Sequence, residues 1–189
     1  TNNLILKDIS ISNSKIIDNE EFYNLVNGFI GNSLEEIKID SVTKIIEDHP
    51  YVEAARVSKW YPSKMKIELI EREPIAVLNI NPMVLLDKYG FVLPYKTSKM
   101  NLNLPILNNF NTNLDFYPYG NKVLSENVGN CIKWLNQIKI NYPSLYQDIS
   151  EMKMTSENDI NIILSEYPTR IFLGKKDIWT KIEILKKFE

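Results

Sequence analysis

The sequence predicts an α+β protein in two consecutive parts, and three observations carry that expectation. Short runs of alternating apolar and polar residues recur along the chain, the period-two pattern of half-buried strands. The clearest is Lys64–Glu71, where Met65, Ile67 and Leu69 alternate with Lys64, Lys66 and Glu68. Other stretches carry apolar residues at helical spacing instead. Pro74 then interrupts the first set of elements and a fresh set of strands begins at Ile75, which divides the chain into 1–74 and 75–189.

Taken in order, Leu4–Ile11 alternates with one break of phase near Lys7–Asp8, as a strand with a bulge would. Asp18 precedes NEEFYNLVNGFIG, and Glu21 three residues on completes a capping-box pattern for a helix with Phe22, Leu25, Val26 and Phe29 on one face. Gly28 or Gly31 offers the left-handed residue that ends it. After an extended piece at Leu34–Ile39, Asp40 is positioned to cap a second helix with Val42, Ile45 and Ile46 on its apolar side. Pro50 stops that helix, because the residue before a proline is driven out of helical space. Tyr51–Trp60 and Lys64–Glu71 then read as a hairpin closed by Tyr61-Pro62-Ser63. The first part is therefore strand, helix, helix, strand, strand.

In the second part Ile75–Ile80, Met83–Asp87 and Phe91–Leu93 read as strands, turned at Asn81-Pro82 and at Lys88-Tyr89-Gly90. Pro94–Tyr119 reads as ordered loop with an edge strand at Leu104–Leu107, anchored by Phe110, Phe116 and Tyr117. Val123–Ile140 is a helix with Val128, Ile132, Leu135 and Ile138 along one side, ended by Pro143. Asp148–Met154, Asp159–Leu164 and Thr169–Leu173 are close enough in sequence for an antiparallel meander, with connections at Thr155–Asn158 and Ser165–Pro168. A final helix, Lys175–Phe188, follows Gly174.

The 189 residues are 44% apolar and 24% charged with a net charge of −2, ordinary globular composition. A near-neutral chain with pI about 5.6 lacks the basic footprint of a nucleic-acid binder. No apolar run approaches the ~18–20 residues that cross a bilayer, and TNNLILKDIS does not resemble a signal peptide. The chain opens into a strand pattern without methionine, which suggests a piece of a longer protein whose other part holds an anchor.

Reaction chemistry is hard to assemble from these residues. One histidine, one cysteine and no GxSxG exclude most nucleophile-base sets. No GxGxxG or GxxxxGK phosphate loop is present, and no His, Cys or carboxylate spacing suits a metal. His49 at a helix stop reads as a closer of the last carbonyls and the helix dipole. Cys131 reads as a small buried hydrophobe. Glu35 and Glu36 would diverge in extended chain, and Glu71 and Glu73, flanking Arg72 at a strand end, read as solvated or ion-paired rather than as a glycosidase pair. The 3 Trp and 10 Tyr fall mostly at helix faces and loop anchors, where packing is the usual role. No catalytic, metal or cofactor-binding residue is expected, and the chain is expected not to be an enzyme.

The succession His49-Pro50-Tyr51-Val52, Tyr61-Pro62 and Glu71-Arg72-Glu73-Pro74-Ile75-Ala76, on the strand-helix-helix-strand-strand order, resembles the POTRA domain of the bacterial FtsQ/DivIB cell-division family. Leu85-Leu86-Asp87-Lys88-Tyr89-Gly90, Asn103-Leu104-Pro105 and Arg170-Ile171-Phe172-Leu173-Gly174 resemble later family motifs in the same order. The resemblance implies a POTRA domain over 1–74 and a β domain of mainly antiparallel sheet with packed helices over 75–189. It further implies a single-pass protein of the cytoplasmic membrane, at the division septum, with this part in the periplasm or outside the cell. Its partners would be other division proteins, chiefly the FtsB/FtsL coiled-coil pair, bound by strand addition to a sheet edge. In the family a further strand follows the last helix and receives FtsB; here that strand is expected to be missing. The partner surface is therefore expected beside it, at Thr169, Arg170, Ile171 and Phe172 and on the helix face Ile178, Trp179, Ile182 and Leu185. A second surface is expected at Lys64, Lys66 and Glu68. Two rivals are a POTRA module of an outer-membrane assembly or secretion protein, and a wall-associated enzyme or glycan-binding protein.

Overall fold

The computed structural model describes residues 4–96, 103–165 and 169–187. Residues 97–102 of the predicted loop, 166–168 of the last predicted connection and Phe188 of the final helix lie outside them. The chain splits into two compact units, Thr1–Arg72 and Glu73–Glu189. Helices and strands are both present in each, an α+β organisation.

The first unit contains β1 (Asp8–Ser12), α1 (Asn19–Val26), α2 (Ile39–Glu47), β2 (Val52–Trp60) and β3 (Lys64–Glu71). Its sheet has the order β1-β3-β2, with β1 parallel and β2 antiparallel to β3. The hairpin strand β3 is thus the central strand, and Met65, Ile67 and Leu69 point into the core with Ile9, Phe22, Val26, Val42 and Ile46. Burial of each such side chain contributes about 1.5–3 kcal/mol. Where the sequence loses its phase, the N–H groups of Lys7 and Asp8 both donate to the Ser63 carbonyl, at 2.8 and 3.3 Å. That shared acceptor absorbs the extra residue.

Several local expectations are corrected here. Asp18 makes no capping bond through its side chain. The Glu21 carboxylate, expected to turn back on the helix start, meets His49 Nε2 at 2.9 Å. Because His49 Nδ1 accepts from the Tyr51 N–H at 3.3 Å, Nε2 is the nitrogen left to donate. The ring packs edge-on against Phe22 at 4.9 Å, so the histidine ties α1 to the turn before β2 rather than closing helix carbonyls. Leu25 is exposed, Leu34–Glu36 is a turn rather than extended chain, and Asp40 lies inside the first turn of α2, after an N-cap at Lys38. Gly31, at φ +89°, supplies the left-handed residue after α1. Glu71 is not solvated: it is buried on the core face of β3, and its carboxylate accepts from the N–H groups of Lys15, Ile16 and Ile17 at 2.6, 2.8 and 3.1 Å.

The second unit contains β4 (Pro74–Leu78), β5 (Val84–Asp87), β6 (Val92–Pro94), β7 (Ile106–Asn108), α3 (Glu126–Asn141), α4 (Pro143–Asp148), β8 (Ile149–Met154), β9 (Ile160–Leu164), β10 (Arg170–Gly174) and α5 (Ile178–Lys186). Its sheet has the order β10-β9-β8-β7-β4-β5-β6, antiparallel except for the two ladders that β7 makes. The segment expected at an edge, β7, lies in the middle. Pro143 ends α3 as expected but also opens a short helix that the sequence reading missed, taking the first helical position that proline favours. Val128, Cys131, Ile132, Leu135 and Ile138 of α3 are buried in one cluster with Leu78, Leu86, Leu107, Met152 and Ile162 of the sheet. Burial pushes the Cys131 thiol up, so it stays protonated as a core side chain. Buried Asp87 shapes its turn by accepting from the N–H groups of Tyr89 and Phe91 at 2.9 and 2.8 Å, with Gly90 at φ +82°.

Two outcomes are expected from these buried polar groups. Glu71→Gln leaves fewer acceptor positions for three backbone donors, and its loss of about 2–3 kcal/mol is read as a lower urea midpoint with an unchanged slope. Tyr146 donates its hydroxyl to the Ile75 carbonyl at 2.8 Å, and burial pushes its phenol up to about 12 from an ordinary 10.0. The folded state disfavours the phenolate, so this group's stabilisation is full below pH 10 and is lost as pH rises through 12. Tyr146→Phe loses about 1–2 kcal/mol at neutral pH. Its stability then falls less between pH 10 and 12 than that of the parent chain, measured by denaturant titration.

Candidate functional site

Strand β10 sits at one end of the seven-stranded sheet and among the described residues pairs only with β9, Arg170 opposite Ile163, Ile171 opposite Ile162 and Phe172 opposite Asn161. The Leu164 N–H donates to the Thr169 carbonyl at 3.3 Å. In an antiparallel alternation Thr169 and Ile171 then turn their backbone groups toward β9, and Arg170 and Phe172 turn theirs outward. Both outward residues also carry exposed side chains, and Phe172 keeps 71% of its surface in solvent. A large exposed aromatic beside unpaired backbone groups is what an added strand would cover.

The edge has a defined end. The ladder shifts register between Phe172 and Gly174, Gly174 takes φ +70°, and the Leu173 carbonyl is held by Lys181 Nζ of α5 at 2.6 Å. Among the described residues the open stretch is therefore Arg170–Phe172. On the sheet face that Phe172 occupies, Asn161, Lys153 and Asn108 follow it strand by strand. Asn108 Nδ2 donates to Glu151 at 2.9 Å, and its Oδ1 accepts from Asn79 at 2.7 Å. Asn161 is buried, and among the described residues its Oδ1 accepts no hydrogen bond.

Of the residues expected on α5, Ile178 and Ile182 are buried in the core cluster and present nothing to solvent. Trp179 and Leu185 are partly buried against that cluster, and Trp179 stacks on Tyr142 at 6.1 Å. Ile171 likewise packs toward the core. The structure thus brings Thr169, Arg170 and Phe172 together at the surface and withdraws the apolar helix face. Lys181 and Asn161 escaped the sequence reading because their roles depend on the β9–β10 register, for which a single chain carries no local signal.

The other expected surface, Lys64, Lys66 and Glu68, lies on β3, whose two edges are already taken by β1 and β2. No strand can be added there. Its side chains are occupied as well: Lys66 pairs with Glu68 at 2.8 Å and lies over the Trp60 ring, and Lys64 reaches Asp8 at 3.4 Å. Among the described residues no group of His, Cys, Asp or Glu could hold a metal, and no helix is long and apolar enough to cross a membrane.

No family model matches the chain. Among curated proteins it is similar to the cell division protein FtsQ of Syntrophotalea carbinolica, 22% identical over 95% of this chain and 63% of the relative. The FtsQ of Geotalea daltonii is 21% identical over 96% of this chain and 66% of the relative. That of a Geobacter species is 24% identical over 95% and 65%. The chain therefore spans about two thirds of the length of these curated relatives. Likeness to proteins named cell division protein FtsQ, at 21–24% identity over 95–96% of this chain, supports an FtsQ/DivIB family assignment.

Proposed function

We propose that the chain is the extracytoplasmic part of a membrane-anchored, non-enzymatic division scaffold, the first unit a POTRA domain and the second the family's β domain. Its work is to hold other division proteins at the septum. An extended segment of a partner of the FtsB/FtsL type adds to the sheet of the second unit alongside β10. The observation that carries this reading is the open stretch at Arg170 and Phe172, outward in both backbone and side chain, in a chain alike to division proteins over 95% of its length. Strand addition suits it because main-chain bonds supply the pairing and the Phe172 ring supplies an apolar anchor.

The test uses the complete membrane protein and its own FtsB/FtsL-like pair. Phe172→Asp is expected to weaken their complex about tenfold or more, the size of a lost interface anchor. Phe172→Pro deletes an outward N–H without touching the β9 ladder and should weaken it similarly. Unchanged affinity in both variants would remove β10 from the interface. A fluorescent fusion of the complete protein should form a midcell band before constriction; even staining of the envelope would overturn the division reading itself.

A further inference from the structure

The tip of the hairpin between β2 and β3 is apolar and exposed. It reads Trp60-Tyr61-Pro62, and 56% of Trp60 and 60% of Tyr61 stay in solvent. The indole is held outside the core: Trp60 Nε1 donates to Ser58 Oγ at 3.2 Å, and Lys66 Nζ stands 5.6 Å from the ring centre. The lysines around the tip are spent within the unit. Lys64 reaches Asp8 at 3.4 Å, Lys66 pairs with Glu68 at 2.8 Å, and Lys59 Nζ donates to the Glu35 carbonyl at 3.1 Å. What the tip offers is its rings, not its charge. The start of β1 lies at the same end of the sheet, where the Lys7 and Asp8 N–H groups donate to the Ser63 carbonyl. Just ahead of it Ile5 is 39% exposed, and the Leu4 carbonyl accepts from the Leu34 N–H at 2.6 Å. Leu4 is three residues before Lys7, about 10 Å of extended chain. A membrane span joined ahead of Leu4 therefore enters the unit beside the tip.

We propose that this tip sits in the headgroup layer of the membrane, both rings at the boundary of the acyl chains, a placement that rests on the membrane-anchored reading above. Trp and Tyr each join an apolar ring to a polar N–H or O–H. That combination suits the one layer where apolar and wet surroundings meet. Pro62 adds no backbone N–H that would need a partner there. Its place beside the entering chain favours lipid over a protein as the cover of the tip. With the rings seated, the first unit is held at two points, the entering chain and the hairpin, and keeps one attitude to the bilayer.

The test reconstitutes the complete protein in phosphatidylcholine vesicles, with and without bromine on the upper acyl carbons. Trp60's fluorescence is taken as that of the parent protein minus that of Trp60→Phe. Bromine is expected to reduce this share about twofold or more, as for a ring at the headgroup and acyl boundary. Exposed Tyr61 is replaced without disturbing the core, and Tyr61→Glu should lift the tip out and abolish most of the quenching. Because the rings carry the contact, quenching should be the same at low and high salt; its loss in high salt would overturn the proposal. Protein that stays with the vesicles while bromine leaves Trp60 unquenched also overturns it, with the anchored reading still standing. Trp60 shielded from acrylamide yet untouched by bromine overturns it too, and assigns the tip to a protein partner. Protein that fails to float with the vesicles would sink the anchored reading, and the proposal with it.

Discussion

The second unit depends on a strand of three residues. Ile106–Asn108 pairs in parallel with β4 on one side and with β8 on the other, and among the described residues it alone joins the meander β4-β5-β6 to the meander β8-β9-β10. Its hold comes from both of its edges and both of its faces. The Val77 N–H donates to the Pro105 carbonyl and the Asn79 N–H to the Leu107 carbonyl, both at 3.0 Å. Leu107 is fully buried under α3, while Asn108 bridges Asn79 and Glu151 on the opposite face. With β7 in place, seven strands form one surface for α3 and α5 to cover, and β10 becomes an end of a continuous sheet. Without it two three-stranded pieces would each leave a further edge in water.

Polar side chains in the interior act as supports for backbone. Glu71 gathers three N–H groups of the turn before α1, Asp87 gathers two in the turn after β5, and Tyr146 caps a carbonyl of β4. Each satisfies main-chain groups that secondary structure leaves unpaired, and a buried donor or acceptor without a partner is costly. His49 follows the same logic, its two ring nitrogens spent on Glu21 and on the Tyr51 N–H. Residues that a motif search weighs as acid, base or ligand are here committed to holding turns.

The sheet edges are managed differently, and the differences single out the candidate surfaces. Edge β6 is covered by the chain after Tyr119, which donates to the Gly90 and Val92 carbonyls and accepts from the Val92 N–H. On edge β2 Glu47 takes the Ala55 N–H, and the end of β10 is closed by Lys181. Among the described residues, what stays open is a short stretch of β10 around Phe172, a short stretch of β1 around Ile9 and Ile11 and a short stretch of β2 around Val57 and Lys59. Short open stretches limit indiscriminate pairing while leaving room for a partner whose side chains also fit.

The sequence by itself determined the α+β class, the order of nearly all elements and the inward faces of those with strict periodicity. Strand β3 has the predicted bounds and buries the predicted residues, and the core side of α3 is the one its spacing picks out, because both follow from a periodicity of two or 3.6 within one segment. Only the tertiary structure decided which strand lies next to which. That β3 is central, that β7 is internal and that Arg170 and Phe172 face outward all depend on pairing between distant segments. Main-chain N–H and C=O groups are the same at every residue, so the ladder carries no local signature of its neighbour. The fates of Glu71, of Glu21 with His49, and of Ile178 and Ile182 were hidden for the same reason: each partner is brought near only by the packing of the whole unit.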